Sequence, residues 1–219
     1  KTAPIITVGG NGANAAYVAA RCGAEVKLHS NIGDDAFGTI ARSWLEEAGC
    51  EVAVGPRALR TATNVTIANA NLQRATYFYP GATPRLPSPS ANATSVLIAG
   101  WPHPAIRSSA QRLKLWRSRG IRTALDVGPF LKATPTLNSL APQLDHLDLL
   151  ITNDHELLEL TECLNIRTAM TTLRQSFAAD VVVKRGADGV SWYPHSSARA
   201  RHIPGVKIKA VNTVGAGDT

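Results

Sequence analysis

Short β-branched and aliphatic runs alternate along this chain with longer stretches of helical periodicity. Residues 5–8 lead into a helical pattern over 14–22, residues 25–30 into one over 36–48, and residues 96–99 into one over 105–119. Further apolar runs at 123–126, 149–152, 181–184 and 190–193 predict more strands. Runs this short, set between amphipathic stretches, mark βαβ units, because a strand covered on both faces needs no polar alternation. The pattern predicts an α/β fold with a largely parallel sheet flanked by helices. The helix over 36–48 should stop at Gly49, which takes a left-handed backbone without a Cβ penalty, and the chain should then turn into another strand.

One segment departs from this alternation. Residues 63–70 and 74–79 are extended stretches in which apolar and polar positions alternate around Asn71-Leu72-Gln73, as in a hairpin. They predict a small β-rich lid over about 63–79, carried by one main domain that takes in residues 1–219. The Pro- and Ser-rich piece 80–90 reads as a loop returning to the core.

Composition narrows the partners. A chain of 219 residues that is 44% hydrophobic can bury a substantial core. Its 23 Lys and Arg against 16 Asp and Glu give a net charge of +7. The basic residues are scattered, as at Arg57, Arg60, Arg112, Lys114, Arg117, Arg119 and Arg122, with few aromatics between them. That is a solvated face, not a nucleic-acid platform. Cys22, Cys50 and Cys163 show no ligand spacing and read as reduced thiols. Apolar stretches such as 95–99 are too short for a bilayer, and the opening Lys-Thr-Ala-Pro lacks an apolar signal region. The expectation is a cytoplasmic protein with neither nucleic acid nor membrane as partner.

Four motifs carry candidate chemistry. After the first predicted strand stands Gly9-Gly10-Asn11-Gly12-Ala13-Asn14-Ala15-Ala16, followed by Gly23 and Gly33. The glycines let the backbone approach a ligand closely, and Asn14, at a helix mouth, can both donate to and accept from hydroxyls. Gly10-x-Gly12-x-x-Ala15 also matches a dinucleotide-binding turn, although His29, Ser30 and Asn31 stand where such a site has its acid. In Gly33-Asp34-Asp35-Ala36-Phe37-Gly38, Asp35 is placed to cap the next helix. Asn153-Asp154-His155-Glu156 ends the strand at 149–152, where open α/β sheets bind ligands, and reads equally as a helix N-terminus. Lys184-Arg185-Gly186-Ala187-Asp188-Gly189 runs a buried-type strand into a two-glycine loop, by itself a hairpin turn. Last comes Asn212-Thr213-Val214-Gly215-Ala216-Gly217-Asp218. Successive N–H groups of Gly215, Ala216 and Gly217 can cradle an anion, with Asp218 beside them to accept a proton.

In this order and spacing the four motifs resemble those of the ribokinase-like (PfkB) carbohydrate kinases. The resemblance implies a ribokinase-like fold and transfer of a phosphoryl group from ATP to a sugar-type alcohol. It implies Asp218 as catalytic base, Gly215, Ala216 and Gly217 as anion hole, and Gly10, Asn11, Gly12 and Asn14 as sugar contacts. At the nucleotide it implies Asn153, Lys184, Gly186 and Gly189, with Glu156 holding Mg²⁺ through water. Asn11 stands where many ribokinases have Lys, so the sugar stays open. Asn212 stands where the family has Asp, so dependence on a monovalent cation stays open as well. Pairing of lid strands between subunits, common in the family, implies a homodimer through the lid. The resemblance also implies a further N-terminal strand and C-terminal helices beyond this sequence, and therefore an incomplete kinase, weak or inactive by itself. Two other readings stand beside it: a sugar- or nucleotide-binding fragment without turnover, and an NAD-dependent oxidoreductase built on the Gly10–Ala15 turn.

Overall fold

The computed structural model describes residues 6–30, 32–54, 60–68, 74–81, 92–100, 106–128, 136–197 and 199–208. They fall into two compact units, one drawn from residues 1–87 and the other from residues 88–218. Among the described residues no helix is long and apolar enough to cross a membrane.

The first unit runs α1 (Asn11–Arg21), β1 (Val26–Ser30), α2 (Ala36–Glu47), β2 (Cys50–Val54), β3 (Thr63–Ala68) and β4 (Arg74–Tyr79). Strands β1 and β2 are parallel, in register from Val26 against Cys50 to Ser30 against Val54. Ala16, Ile32, Leu45 and Cys50 form the core here, closed by Ala13, Ala20, Val26, Leu28 and Val52. Gly49 carries the helix-to-strand turn at φ 96°, as the sequence predicts. Two expectations shift. Helix α1 starts at Asn11, three residues before the expected 14, because Gly10 at φ 97° makes the entry turn with no side chain to announce it. Residues 6–8 form no strand, and Ile6 is exposed; an aliphatic run becomes a strand only where a neighbour supplies its hydrogen bonds.

The predicted hairpin is present. Strands β3 and β4 pair antiparallel from Thr63 against Tyr79 to Ala68 against Arg74; residues 69 and 70 and the turn 71–73 lie outside the described residues. Cross-strand partners share a face, so Val65 with Tyr77 and Ile67 with Ala75 make one apolar side, and Asn64 with Phe78 and Thr66 with Thr76 the mixed other. Val65, Ile67, Tyr77, Phe78 and Tyr79 are all exposed.

The second unit runs β5 (Ser95–Ala99), α3 (Ile106–Ser118), β6 (Arg122–Asp126), α4 (Leu137–Leu144), β7 (Leu149–Asn153), α5 (Asp154–Thr161), α6 (Ile166–Arg174), β8 (Asp180–Lys184), β9 (Val190–Tyr193) and β10 (Arg201–Ile203). These strands form one mixed sheet in the order β10-β9-β8-β7-β6-β5. Strands β5 to β8 are parallel, and β9 and β10 continue the sheet antiparallel. Helix α3 packs on β6 and on α4, while α5 packs on β7, β8 and α6. Leu125, Leu150, Val181 and Val183 of the strands, and Trp116, Leu140, Leu157, Leu173 and Phe177 elsewhere in the unit, are all fully buried. Each contributes roughly 1.5–3 kcal/mol through removal of apolar surface from water. The Arg174 guanidinium ties the far side together, donating to the carbonyls of Ala179 and Phe177 and, at 2.7 Å, of Tyr193.

Candidate functional site

Parallel strands β6, β7 and β8 end side by side in Asp126, Asn153 and Lys184; Asp126 lies opposite Ile151 and Asn153 opposite Lys184. The carboxyl ends of such strands are where α/β sheets place ligands, because the chain there leaves the sheet and opens a crevice. The Lys184 side chain spans the middle strand. Its Nζ donates to Asp126 Oδ1 at 3.0 Å and Oδ2 at 2.9 Å, with Asp126 only 7% exposed. The sequence reading placed Lys184 at nucleotide phosphates and did not single out Asp126. The signal available in the sequence is an acid at the carboxyl end of a parallel strand, two residues before Gly128.

Asn153 and Glu156 start α5 together. Asn153 Oδ1 accepts the Glu156 N–H at 2.8 Å, and Glu156 Oε2 accepts the Asn153 N–H at 2.9 Å, a reciprocal capping box. The Thr152 hydroxyl also donates to Glu156 Oε2, at 3.4 Å. Glu156 is 8% exposed. Burial pushes its carboxyl above the usual glutamate range, Asp126 adds a smaller push the same way, and the Asn153 N–H, Lys184 and Thr152 oppose it.

A carboxylate held above its ordinary value is neutral more readily in the folded chain. Its stabilising contribution is therefore full below the ordinary range and is lost as pH rises through the raised value. Glu156→Gln keeps an oxygen for the Asn153 N–H and removes the buried charge. Its melting midpoint should exceed the wild type's by an amount that grows from pH 4 to pH 7, about 2–4 °C for each kcal/mol relieved. Scanning calorimetry across that range reads the divergence. If Glu156 also serves a metal through water, the same variant loses turnover roughly 10- to 100-fold.

The two-glycine loop is a hairpin between β8 and β9, with a 3₁₀ turn at Gly186–Asp188. Arg185 N–H donates to Gly189 O at 2.8 Å, Asp188 N–H to Arg185 O at 3.0 Å, and Gly189 N–H to Gly186 O at 3.0 Å. The N–H groups of Asp188 and Gly189 thus close the turn itself, and a phosphate would have to draw on those of Gly186 and Ala187. Gly186 has φ 55° and open space around a Cβ; Gly189 has φ 91°, and a Cβ there would run into Ile203 O, Gly205 N and Pro204 C. Gly189→Ala should therefore lower stability by about 2–3 kcal/mol and Gly186→Ala by only about 1, as read by urea unfolding. Equal effects would show that backbone conformation alone decides.

In the first unit, Gly10 caps α1, and Asn11 and Gly12 lie in its first turn, where backbone N–H groups have no helical carbonyl one turn back. The Asn14 N–H donates to Gly10 O at 2.9 Å. An open groove of about 570 Å³ runs along α1 and α2, lined by Thr7, Asn14, Tyr17, Arg21, Trp44 and Glu47 among others. Of the expected sugar contacts, Asn14 alone lines it. Gly215, Ala216, Gly217 and Asp218, with Asn212, lie outside the described residues.

The fold matches solved sugar kinases. A structure of ribokinase from Arabidopsis thaliana complexed with ribose and ATP aligns at TM-score 0.78 and 23% identity, covering 96% of this chain and 71% of that one. A fructokinase from Vibrio cholerae O395 bound to fructose, ADP and calcium aligns at 0.75 and 21%, covering 96% and 72%. A ribokinase from Cryptococcus neoformans var. grubii in complex with ADP aligns at 0.73 and 24%, covering 96% and 72%. At these identities the likeness establishes the ribokinase-like α/β fold. The sequence itself matches the family model described as pfkB family carbohydrate kinase over residues 5–219, a span that takes in all four motifs, and on that match this chain belongs to the pfkB family of carbohydrate kinases.

Proposed function

We propose that the protein transfers the γ-phosphoryl group of ATP to a hydroxyl of a small sugar or sugar-like alcohol. The observation that carries this reading is the family match over residues 5–219, joined to the gathering of Asp126, Asn153 and Lys184, with Glu156 close behind, at the ends of three adjacent parallel strands.

Asp218 takes the acceptor hydroxyl's proton as the oxygen attacks, and the N–H groups of Gly215, Ala216 and Gly217 stabilise charge that develops on the transferred group. Gly10, Asn11, Gly12 and Asn14 orient the sugar, and the β3–β4 hairpin excludes water from it. Asn153, Lys184, Gly186 and Gly189 position the nucleotide. The donor chemistry around Glu156 suits a divalent ion: a hard carboxylate, little exposed and pushed toward neutrality, gains from a cation more than a solvated one would. Glu156 would hold Mg²⁺ there through water, and the ion would supply positive charge against the phosphates. Asp126 keeps Lys184 extended across the strand ends and balances its charge. The protein works in the cytoplasm as a homodimer formed through the hairpin, with no nucleic-acid or membrane partner.

ADP release from Mg·ATP across pentoses, hexoses, keto-sugar acids and nucleosides tests the reading, with Asp218→Asn as control. Sugar-dependent release that the control abolishes supports it; ligand binding with no release from any acceptor overturns it in favour of a binding module.

A further inference from the structure

Two stretches of the first unit that lie apart in sequence, residues 33–38 and Thr61, meet at Asp35, the N-cap of α2. Its Oδ1 accepts the Gly38 N–H at 2.8 Å and the Thr61 hydroxyl at 2.6 Å, while Oδ2 accepts the Thr61 N–H at 3.0 Å. Thr61 Oγ1 in turn accepts the Gly33 N–H at 3.0 Å. One carboxylate thus joins the β1–α2 connection, the first turn of α2 and the residue two places before β3. A helix cap needs only the Gly38 bond; the others reach across 26 positions to another segment.

Glycines close the same knot. A Cβ on Gly33 would sit 2.8 Å from Arg60 Cα, and one on Gly38 would sit 2.8 Å from Thr61 Oγ1. Gly81, two residues after β4, has φ 60°, and a Cβ there would lie 3.0 Å from both Ala62 N and Arg60 O. Both feet of the hairpin, residues 60–62 and 81, therefore pack on each other at backbone distance, and the first foot is bound to Asp35. Beyond the feet, the described side chains 64–67 and 75–79 are all exposed. The hydrogen bonds, that from the Thr61 hydroxyl above all, hold the Asp35 carboxyl below its ordinary value, so near neutral pH it is the ionised, acceptor-only form that grips Thr61.

We propose that Asp35 is a positioning residue that clamps the root of the β3–β4 hairpin to the N-terminus of α2 through Thr61, and so fixes the direction in which the hairpin leaves the body of its unit. Its consequence for catalysis rests on the reading of the hairpin as a lid; the clamp itself does not.

Hydrogen exchange by mass spectrometry on the full chain tests it with three variants. Thr61→Val removes the hydroxyl and leaves the α2 cap. Asp35→Ser keeps a capping oxygen but is too short to hold Thr61. Thr61→Ser restores the hydroxyl. The expected result is exchange at 63–68 and 74–79 raised tenfold or more in the first two variants and restored in the third, with 36–47 within twofold of wild type throughout. Unchanged hairpin exchange in Thr61→Val and Asp35→Ser overturns the clamp. Loosening of 36–47 in step with the hairpin also overturns it, reducing Asp35 to a cap. With D-ribose and D-fructose as acceptors, Thr61→Val should raise the sugar KM several-fold and leave the ATP KM in place. No turnover by the wild type would count against the kinase reading, while exchange alone decides the clamp.

Discussion

Asp218→Asn is expected to lower turnover by roughly 10²–10⁴-fold with little change in the KM for ATP. The asparagine matches the shape of the aspartate and can still bond to a hydroxyl, but it cannot take the proton as the acceptor oxygen attacks. The loss is bounded from above because phosphoryl transfer passes through a loose transition state in which positioning and charge stabilisation carry most of the acceleration. Those contributions come from other groups in the proposed site. ADP release under saturating ATP and sugar reads kcat directly. Turnover within tenfold of wild type would remove Asp218 as the base and leave the anion cradle as the source of catalysis.

Lys184→Met should lower folding stability by about 3–4 kcal/mol, a fall of roughly 6–16 °C in melting midpoint. The Lys184 side chain is 22% exposed and that of Asp126 10%, so the pair sits nearer the buried limit than the surface one. An exposed ion pair would contribute less than about 1 kcal/mol. Methionine matches the length of the lysine stem and withdraws the charge, so Asp126 would have to remain ionised without the cation beside it or take up a proton. The double variant with Asp126→Asn should recover much of the loss, because a neutral amide at 126 no longer calls for a cation beside it. A cost under 1 kcal/mol in the single variant would mean that Lys184 serves the nucleotide and not the sheet.

These two residues also show where sequence reasoning stops. The apolar runs at 149–152 and 181–184 named their strands within a residue, since a buried parallel strand is written locally as aliphatic side chains. Asp35 was legible as a cap from its place where the second strand hands over to a helix, and the hairpin from alternation on each side of its turn. Helix α4 escaped because Pro142 lies inside it and breaks the helical pattern, and β10 because three residues carry no period. Lys184 and Asp126 are 58 positions apart, and Asp35 and Thr61 are 26 apart. Such contacts follow from sheet order and loop path, which no local pattern encodes. The capping box at Asn153 and Glu156 was half visible: the sequence offered a helix start and a metal-holding acid as rivals, and the fold builds the helix start from the same carboxylate.

Beyond its feet, the β3–β4 hairpin presents exposed side chains at 64–67 and 75–79. Its described side chains between the feet pack into no core, so replacing one of them shifts stability by no more than about 0.5 kcal/mol. A buried leucine on β7, such as Leu150, costs several times that when cut back to alanine. Folding stability alone therefore leaves Val65, Ile67, Tyr77 and Tyr79 open to replacement while it holds Asp35, Thr61 and the glycines at the root, so whatever constrains the outer ribbon comes from the sugar or the second subunit proposed to lie against it.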